Sequence, residues 1–411
     1  MTSSSGATQD EIRRRNVSTL LRQVHVQGAR SRAQLTELMG LNRSTIKALV
    51  DELTDAGLVA ETIPEAGGRA GKSTPSRLRA GRPSHVVVPR ADTAYVLAAN
   101  IGVDTVSAAA VGLGGTILAR REYPLAGLGV KPEAVTRRLA TEFRRLQGKL
   151  PATAWLAGVG VGVPGVVRRV DGHVEFAPNL MWQGVPFGRF LSERLAVPAT
   201  VRVGNDGDLG ALAEHVRGAG RGIDHLVYLA AEVGIGGGII VDGHTVVGAQ
   251  GYAGEFGHMI VNPQGRSCRC GSRGCFETEV GEEAVLLACG RDPSGGKPAM
   301  AELIVAARRG EPRAMRGLRE IAPWVAYGLT TLVNIFNPDL VILGGPLSEL
   351  FFMTGEEIRR QVDALTRFAG RRSVCLVPPG LGQDSSLLGA AELAFEDLLI
   401  DPIDARDRLA G

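Results

Sequence analysis

The sequence predicts an α/β protein in two parts, a winged helix-turn-helix head and a larger body of mixed sheets. Three observations predict it. Residues 16–65 read as helix, glycine turn, helix and strand. From Tyr95 onward, short apolar strands alternate with amphipathic helices, as in an α/β domain. Between the two, Ala66–Arg90 carries six Lys/Arg and no acid among Gly, Pro and Ser. A chain of 411 residues exceeds one ordinary domain and suits two or three.

In the head, residues 1–15 are expected as a disordered tail, small and polar as far as about Gln9. Arg13, Arg14 and Arg15 are either a phosphate contact or a solvated charge run. Val17, Leu20, Leu21 and Val24 then keep the spacing of one buried helix face. Ser31 opens a second helix as its N-cap, with Gln34 completing a capping box, and Gly40 stops it. Asn42 caps a third helix with Ile46, Leu49, Val50 and Leu53 inside. Arg43, Ser44, Thr45 and Lys47 lie near its start, off the apolar stripe. That end suits phosphate, and Arg43 or Lys47 could reach a guanine edge. Arg32 and Asn42 flank the same face. A three-helix protein-binding module would share the pattern. The basic bias and the Arg/Ser/Thr/Lys face favour double-stranded DNA.

The net charge of +3 conceals an asymmetry. Residues 1–90 hold 14 Lys/Arg and 8 Asp/Glu, whereas the remainder is slightly acidic. A basic head on an acidic body fits a polyanionic partner. The first part of Ala66–Arg90 is expected as the wing, with Arg69, and the rest as a flexible linker. There is no charged-then-apolar leader and no apolar run of bilayer length, so a cytoplasmic, nucleoid-associated protein without a membrane partner is expected.

Strands are predicted over Tyr95–Asn100, Thr105–Val111, Thr116–Tyr123 and Leu156–Val163, with a helix over Glu133–Leu146. Ala177–Trp182 is a loop. Val201–Val203 is a strand running into Gly204-Asn205-Asp206, with a helix behind it. An Asn-Asp pair there could grip a polar ligand or simply cap the helix. His225–Ala230 is a further strand, and the glycine-rich Gly234–Gly238 follows it. Helices follow over Ala284–Ala288, Ala299–Arg309, Pro312–Phe336, Glu356–Phe368 and Leu387–Leu399, with strands over Leu340–Leu343 and Val374–Val377.

The densest chemistry lies in Gly254–Glu277. His258, Cys268, Cys270 and Cys275 stand within one short, Gly-rich span. Three thiolates and an imidazole are the ligand set of a closed, structural Zn²⁺ site. A disulfide is the alternative, but nothing else indicates an oxidising compartment. Four protein ligands leave no open position, so the metal is a staple that orients Glu255, His258 and Glu277. Two carboxylates and an imidazole suit several hydroxyl groups, as on a sugar. Cys289 and Cys375 are expected as inert core residues.

Glu255-Phe256-Gly257-His258 followed by Cys268-x-Cys270-Gly271-x-x-Gly274-Cys275-x-Glu277 resembles the zinc and sugar signature of the ROK family (repressors, open reading frames and kinases). The likeness extends over nearly the whole chain, which is similar to the repressors responsive to xylose or N-acetylglucosamine. It implies a two-lobed actin-like, sugar-kinase-like (ribonuclease H-like) body over 91–411, with lobes of about 91–205 plus 385–411 and 206–384. It also implies that Asn179, Asn205 and Asp206 join Glu255, His258 and Glu277 on the sugar. In the family's kinases the residue matching Asp206 is the base that deprotonates the sugar hydroxyl. Gly81-Arg82-Pro83 resembles the Gly-Arg-Pro element of ROK repressors, where Arg82 would enter a narrow minor groove.

Family kinases carry Asp-x-Gly-Gly-Thr at the first phosphate loop, where this chain has Asn100-Ile101-Gly102-Val103-Asp104. Val103 removes backbone freedom, and Asp104 sets a negative charge where phosphate belongs. At the second loop Glu232-Val233 replaces Gly-Thr. Gly344-Gly345, near the family's adenosine position, persists. The expectation is therefore a sugar-responsive regulator, a repressor of carbohydrate-utilisation genes, with structural Zn²⁺ and a degenerate ATP site. It would bind an operator as a dimer or tetramer. The alternatives are a ROK-type sugar kinase using Asp206, or a DNA-binding protein with a ligand-blind body.

Overall fold

The computed structural model describes residues 8–62, 85–125, 129–231, 233–366 and 373–409. The head comprises α1 (Gln9–Gln27), β1 (Arg30–Ser31), α2 (Arg32–Met39), α3 (Arg43–Asp55), β2 (Val59–Thr62) and β3 (Val86–Pro89). Each helix starts where a side chain satisfies free amides. Ser31 and Gln34 form the expected capping box, and Asn42 Oδ1 accepts from Thr45 N at 2.8 Å. Gly40 ends α2 in the left-handed region, φ 63°. Leu20, Leu21, Leu35, Ile46, Leu53 and Leu58 are fully buried between the three helices.

Two expectations for the head need correction. α1 starts at Gln9, capped by Thr8 and Glu11, so residues 9–15 are helix and not tail. Arg13 there is paired with Glu52 of α3 at 2.8 Å. Val86–Pro89 is a strand and not flexible linker. It lies between β1 and β2, pairs antiparallel with both, and buries Val87. Its apolar run has partners only because the chain returns to β2, which no local pattern announces. Arg69 and Gly81-Arg82-Pro83 lie outside the described residues.

The body begins with β4 (Ala94–Ile101), β5 (Thr105–Gly112), β6 (Thr116–Pro124), α4 (Pro132–Gln147) and β7 (Trp155–Val163). A small antiparallel sheet follows, of β8 (Val166–Arg168), β9 (His173–Ala177) and β10 (Trp182–Val185), then α5 (Phe187–Leu195), β11 (Val201–Asn205) and α6 (Asp206–Arg217). The second half has β12 (Leu226–Ala231), β13 (Ile235–Val241), β14 (His244–Thr245), α7 (Phe276–Val280), α8 (Glu282–Ala288), α9 (Gly296–Arg308) and α10 (Pro312–Phe336). It closes with β15 (Leu340–Gly344), α11 (Pro346–Leu365), β16 (Cys375–Val377), α12 (Ser385–Ile400) and α13 (Pro402–Leu409).

Two five-stranded sheets result, with orders β6-β5-β4-β7-β11 and β14-β13-β12-β15-β16. Both put three antiparallel strands beside two parallel additions. α12 packs on β4 and β7 of the first sheet, α6 packs on β12 and β13 of the second, and the two helices pack on each other. Their approach needs Gly389, where a Cβ would fall 1.9 Å from the Leu209 carbonyl oxygen.

The glycine-rich Gly234–Gly238 is largely strand β13. Its glycines answer packing: a Cβ on Gly237 would lie 2.4 Å from Tyr228 O and 2.6 Å from Phe256. The helix expected at Glu356 starts ten residues earlier, at Pro346. Cys289 is buried as expected, but Cys375, on edge strand β16, is exposed.

Candidate functional site: a polar cavity beside a Cys/His knuckle

The knuckle spans the segment between β14 and α7. Glu255 leads into a 3-10 turn, Phe256–His258, which presents the imidazole. The following chain folds back on itself through isolated bridges Ile260↔Cys275 and Ser267↔Arg273. Gly274, at φ 68°, donates to Arg266 O at 2.7 Å, and a Cβ there would overlap Asn262 O. This tight return carries Cys275 to the N-cap of α7 and sets Glu277 in its first turn.

The ligand atoms of His258, Cys268, Cys270 and Cys275 all lie within 4.8 Å of one another, a group that could hold a metal ion. Tetrahedral zinc with sulfur at about 2.3 Å requires S···S edges of about 3.8 Å. Cys270 Sγ and Cys275 Sγ are 3.7 Å apart, and Cys268 Sγ is 3.8 Å from His258 Nδ1. The residues therefore fit tetrahedral zinc. All five cysteines of the chain are free thiols, against the disulfide alternative.

One cavity of about 120 Å³ is lined by Asn179, Asn205, Asp206, Glu255, His258 and Glu277, all six residues expected on a sugar. They come from the 3-10 turn after β9, the end of β11, the start of α6, and both sides of the knuckle. Asn205 is held at both ends of its amide. Its Oδ1 accepts from Gly207 N and Asp208 N, and its Nδ2 donates to Gly165 O at 2.9 Å. The cap reading of this residue therefore holds, and it lines the cavity as well. His258 Nδ1 faces Cys268 and lies 3.6 Å from Glu277 Oε1, while Nε2 faces Glu255 Oε2 at 3.8 Å. Burial raises the Glu255 carboxyl above its usual pKa, with Glu277 adding and His258 opposing.

Sequence reasoning missed one lining residue and one buried carboxylate that feels the charges of Glu255 and Asp206. Phe176 of β9 also lines the cavity, and it is exposed where Val174, on the same face by alternation, is buried, so the strand pattern did not announce it. Asp208, two residues beyond Asp206, is 6% exposed, and its Oδ1 has no hydrogen-bond partner among the described residues. Burial, opposed by Arg169 and reinforced by Glu255 and Asp206, pushes it up to about 7. A wider recess of about 450 Å³ shares Asn179, Val233, Gly234, Arg269 and Glu277 with the cavity.

Val103 lies on the cavity wall. Asp104 is 55% exposed and 3.8 Å from Lys297 of α9, so its charge stays solvated and paired. Gly345, at φ 68°, approaches the Ala231 carbonyl so closely that a Cβ would sit 1.9 Å away, a structural demand independent of any nucleotide. Glu232 lies outside the described residues.

On the head, Arg43, Ser44 and Lys47 are exposed on α3 and Thr45 is half-buried. Ser44 Oγ donates to Asn42 Oδ1, and Lys47 pairs with Asp51 at 2.6 Å. Arg32, expected as a DNA contact, is engaged within the head. Its guanidinium is half-buried on Glu61 of β2, fastening α2 to the wing strand.

A helix-turn-helix head with a winged sheet is thus joined to a body of two five-stranded sheets that holds a polar cavity. The ROK family pattern matches residues 96–397, and the chain belongs to the ROK family. It is 29% identical over 394 residues to the xylose repressor of Bacillus spizizenii, covering 96% of this chain and 98% of the relative. It is 32% identical over 324 residues to a glucokinase of Streptomyces coelicolor, covering 74% and 98%. Among solved structures it resembles a ROK family transcriptional regulator described as a homologue of E. coli MLC, with TM-score 0.76, 23% identity, and coverage of 96% and 99%. A ROK glucokinase from Streptomyces griseus matches with TM-score 0.62 at 29% identity, over 74% and 99%. Among the described residues no helix is long and apolar enough to cross a membrane.

Proposed function

We propose that the chain is a sugar-responsive transcriptional repressor. One observation carries this: a polar cavity lined by Asn179, Asn205, Asp206, Glu255, His258 and Glu277 belongs to the same chain as a winged helix-turn-helix with an exposed basic face on α3. The likeness to xylose repressors over 96% of the chain supports the reading. The carboxylates and amides would accept from and donate to sugar hydroxyls, with Phe176 as an apolar wall. His258, Cys268, Cys270 and Cys275 would hold Zn²⁺. When bound, the ion supplies a rigid crosslink that orients Glu255 and Glu277.

Arg43, Ser44, Thr45 and Lys47 would read the operator from α3, with Asn42 setting the helix start. Arg69 and Arg82 would add wing and minor-groove contacts. A homodimer or tetramer would present two heads to a pseudo-palindromic operator. Sugar would shift operator affinity by binding two lobe arrangements unequally.

Kinase activity is the second reading, favoured by Asp206 in the cavity and by the glucokinase likeness. Val103 and Asp104 at the first phosphate loop support a non-enzyme. A thermal-shift screen of D-xylose, D-glucose and N-acetylglucosamine, with and without ATP, tests both readings. The expected result is a sugar-dependent shift that ATP does not change, with no phosphorylated product. ATP-dependent phosphorylation lost in Asp206→Asn would establish the kinase instead.

A further inference from the structure

The head is joined to the body by a buried polar knot that the cavity does not touch. Arg217, the last residue of α6, has Nε on Glu392 Oε1 at 2.6 Å. Its Nη1 donates to Gly114 O at 2.8 Å and to His25 O at 3.2 Å. His25, near the end of α1, completes the knot: Nδ1 accepts from Gly114 N, which leaves the Nε2 proton to face Glu392 Oε2 at 3.0 Å. Side-chain exposures are 0% for His25, 5% for Glu392 and 11% for Arg217. Burial alone would raise the Glu392 carboxyl, but His25 and Arg217 overcome it and hold it down to about 2.

The other end of α6 is the cavity. Asn205 caps it and Asp206 is its first residue, both on the cavity wall. Between the ends, the Glu214 carboxylate accepts four hydrogen bonds, from Ala219 N, Gly380 N, Leu381 N and Ser385 Oγ. α12 runs alongside, with Ser386 Oγ on Asp206 O at 2.9 Å and Glu392 in the knot. Twelve residues of helix span about 18 Å. A helix clamped this way moves as a rod, and a buried charge network tolerates little displacement before its bonds break.

We propose that Arg217, Glu392 and His25 are positioning residues for the DNA-reading head, and that α6 conveys the state of the Asn205–Asp206 end to them. This rests on the cavity being the effector site. Occupancy that shifts Asn205 and Asp206 would then alter the seating of α1, and with it the angle of α3, without either helix touching the ligand.

Amide hydrogen exchange on the full-length protein tests the coupling without sugar or DNA. Asn205→Ala removes the cap at the cavity end. Exchange in α1 from Leu21 to Gly28 should rise about fivefold or more, although Asn205 contacts nothing in the head. Ile358→Val, in the core beside the second sheet, is the control, compared at equal distance below each variant's melting temperature. Unchanged α1 protection in Asn205→Ala, or an equal rise in Ile358→Val, overturns the proposal. Glu392→Gln should raise α1 exchange by itself and absorb most of the Asn205→Ala effect in the double variant, and full additivity would also overturn it. Should Glu392→Gln not fold, the first pair still decides. Calorimetric titration with D-xylose and D-glucose tests the sugar reading separately, so the two can fail independently.

Discussion

The cavity and the recognition face are both polar, yet they hold their side chains in opposite ways. In the cavity, Asn205 has backbone partners at both ends of its amide and His258 sits between two carboxylates. On α3, Arg43 and Ser44 stand in solvent and Lys47 has an exposed ion pair with Asp51. Such a pair contributes at most about 1 kcal/mol and yields readily to a phosphate. The cavity side chains are held by bonds within the chain, whereas those of the α3 face stand in solvent. Substitutions should therefore cost far more in the first than in the second.

The largest effect should come from the knuckle. Purified protein should carry about one zinc per chain, and Cys270→Ser should lose it, since a three-ligand remnant is no closed site. Sugar binding should fall at least about 100-fold with it, because Glu255 and Glu277 lose their common support. Metal analysis and calorimetry on one sample check this; a metal-free protein with full sugar affinity would break the contrast.

Asp208 should give the next effect. Its folded-state pKa lies above the unfolded value, so between pH 4 and 7 the folded state holds the extra proton. Stability should thus fall as pH rises through that window and level off above about 7. Asp208→Asn should remove the slope and stabilise the protein at pH 8 by roughly 2–4 kcal/mol. Denaturant melts at pH 5 and pH 8 decide it. Glu392 works in the opposite sense: its depressed pKa gives stability present above about 4.5 and lost as pH falls towards about 2.

Asp206→Ala should weaken sugar binding by about 2–3 kcal/mol while leaving the zinc in place, which separates cavity wall from scaffold. A loss of metal in this variant would mean the two are one unit.

The smallest effects belong to the head. Arg43→Ala or Lys47→Ala should change base preference within the operator core by about 1–3 kcal/mol, and melting temperature hardly at all. Arg82→Ala should act instead on A·T-rich flanks. Selection from a randomised-site library distinguishes them, and coincident shifts would reduce Gly81-Arg82-Pro83 to a tether.

Much of this was legible in the chain because its causes are local. Ser31 and Gln34, Asn42 and Gly40 mark helix ends through bonds spanning three residues or a single left-handed turn. The knuckle was legible because four side chains that could hold one metal ion lie within eighteen residues. Glu255, His258 and Glu277 were named from their chemistry, and Asn179, Asn205 and Asp206 joined them by motif likeness; their meeting in one cavity depends on two sheets and the knuckle converging.

What only the tertiary structure decided has partners far along the chain. Val86–Pro89 is a strand because β1 and β2 receive it, and Gly237 lies in one because Tyr228 and Phe256 crowd it. Arg32 pairs with Glu61 of β2, a partner no local pattern announces, since a guanidinium offers the same donors to a carboxylate as to a phosphate. His25 reads as one more residue on an amphipathic helix, but its carboxylate partner stands 367 positions away. Periodicity and capping reach across a turn or two of chain. Burial and charge pairing depend on which distant segments fold against each other, and the knot between head and body was settled only there.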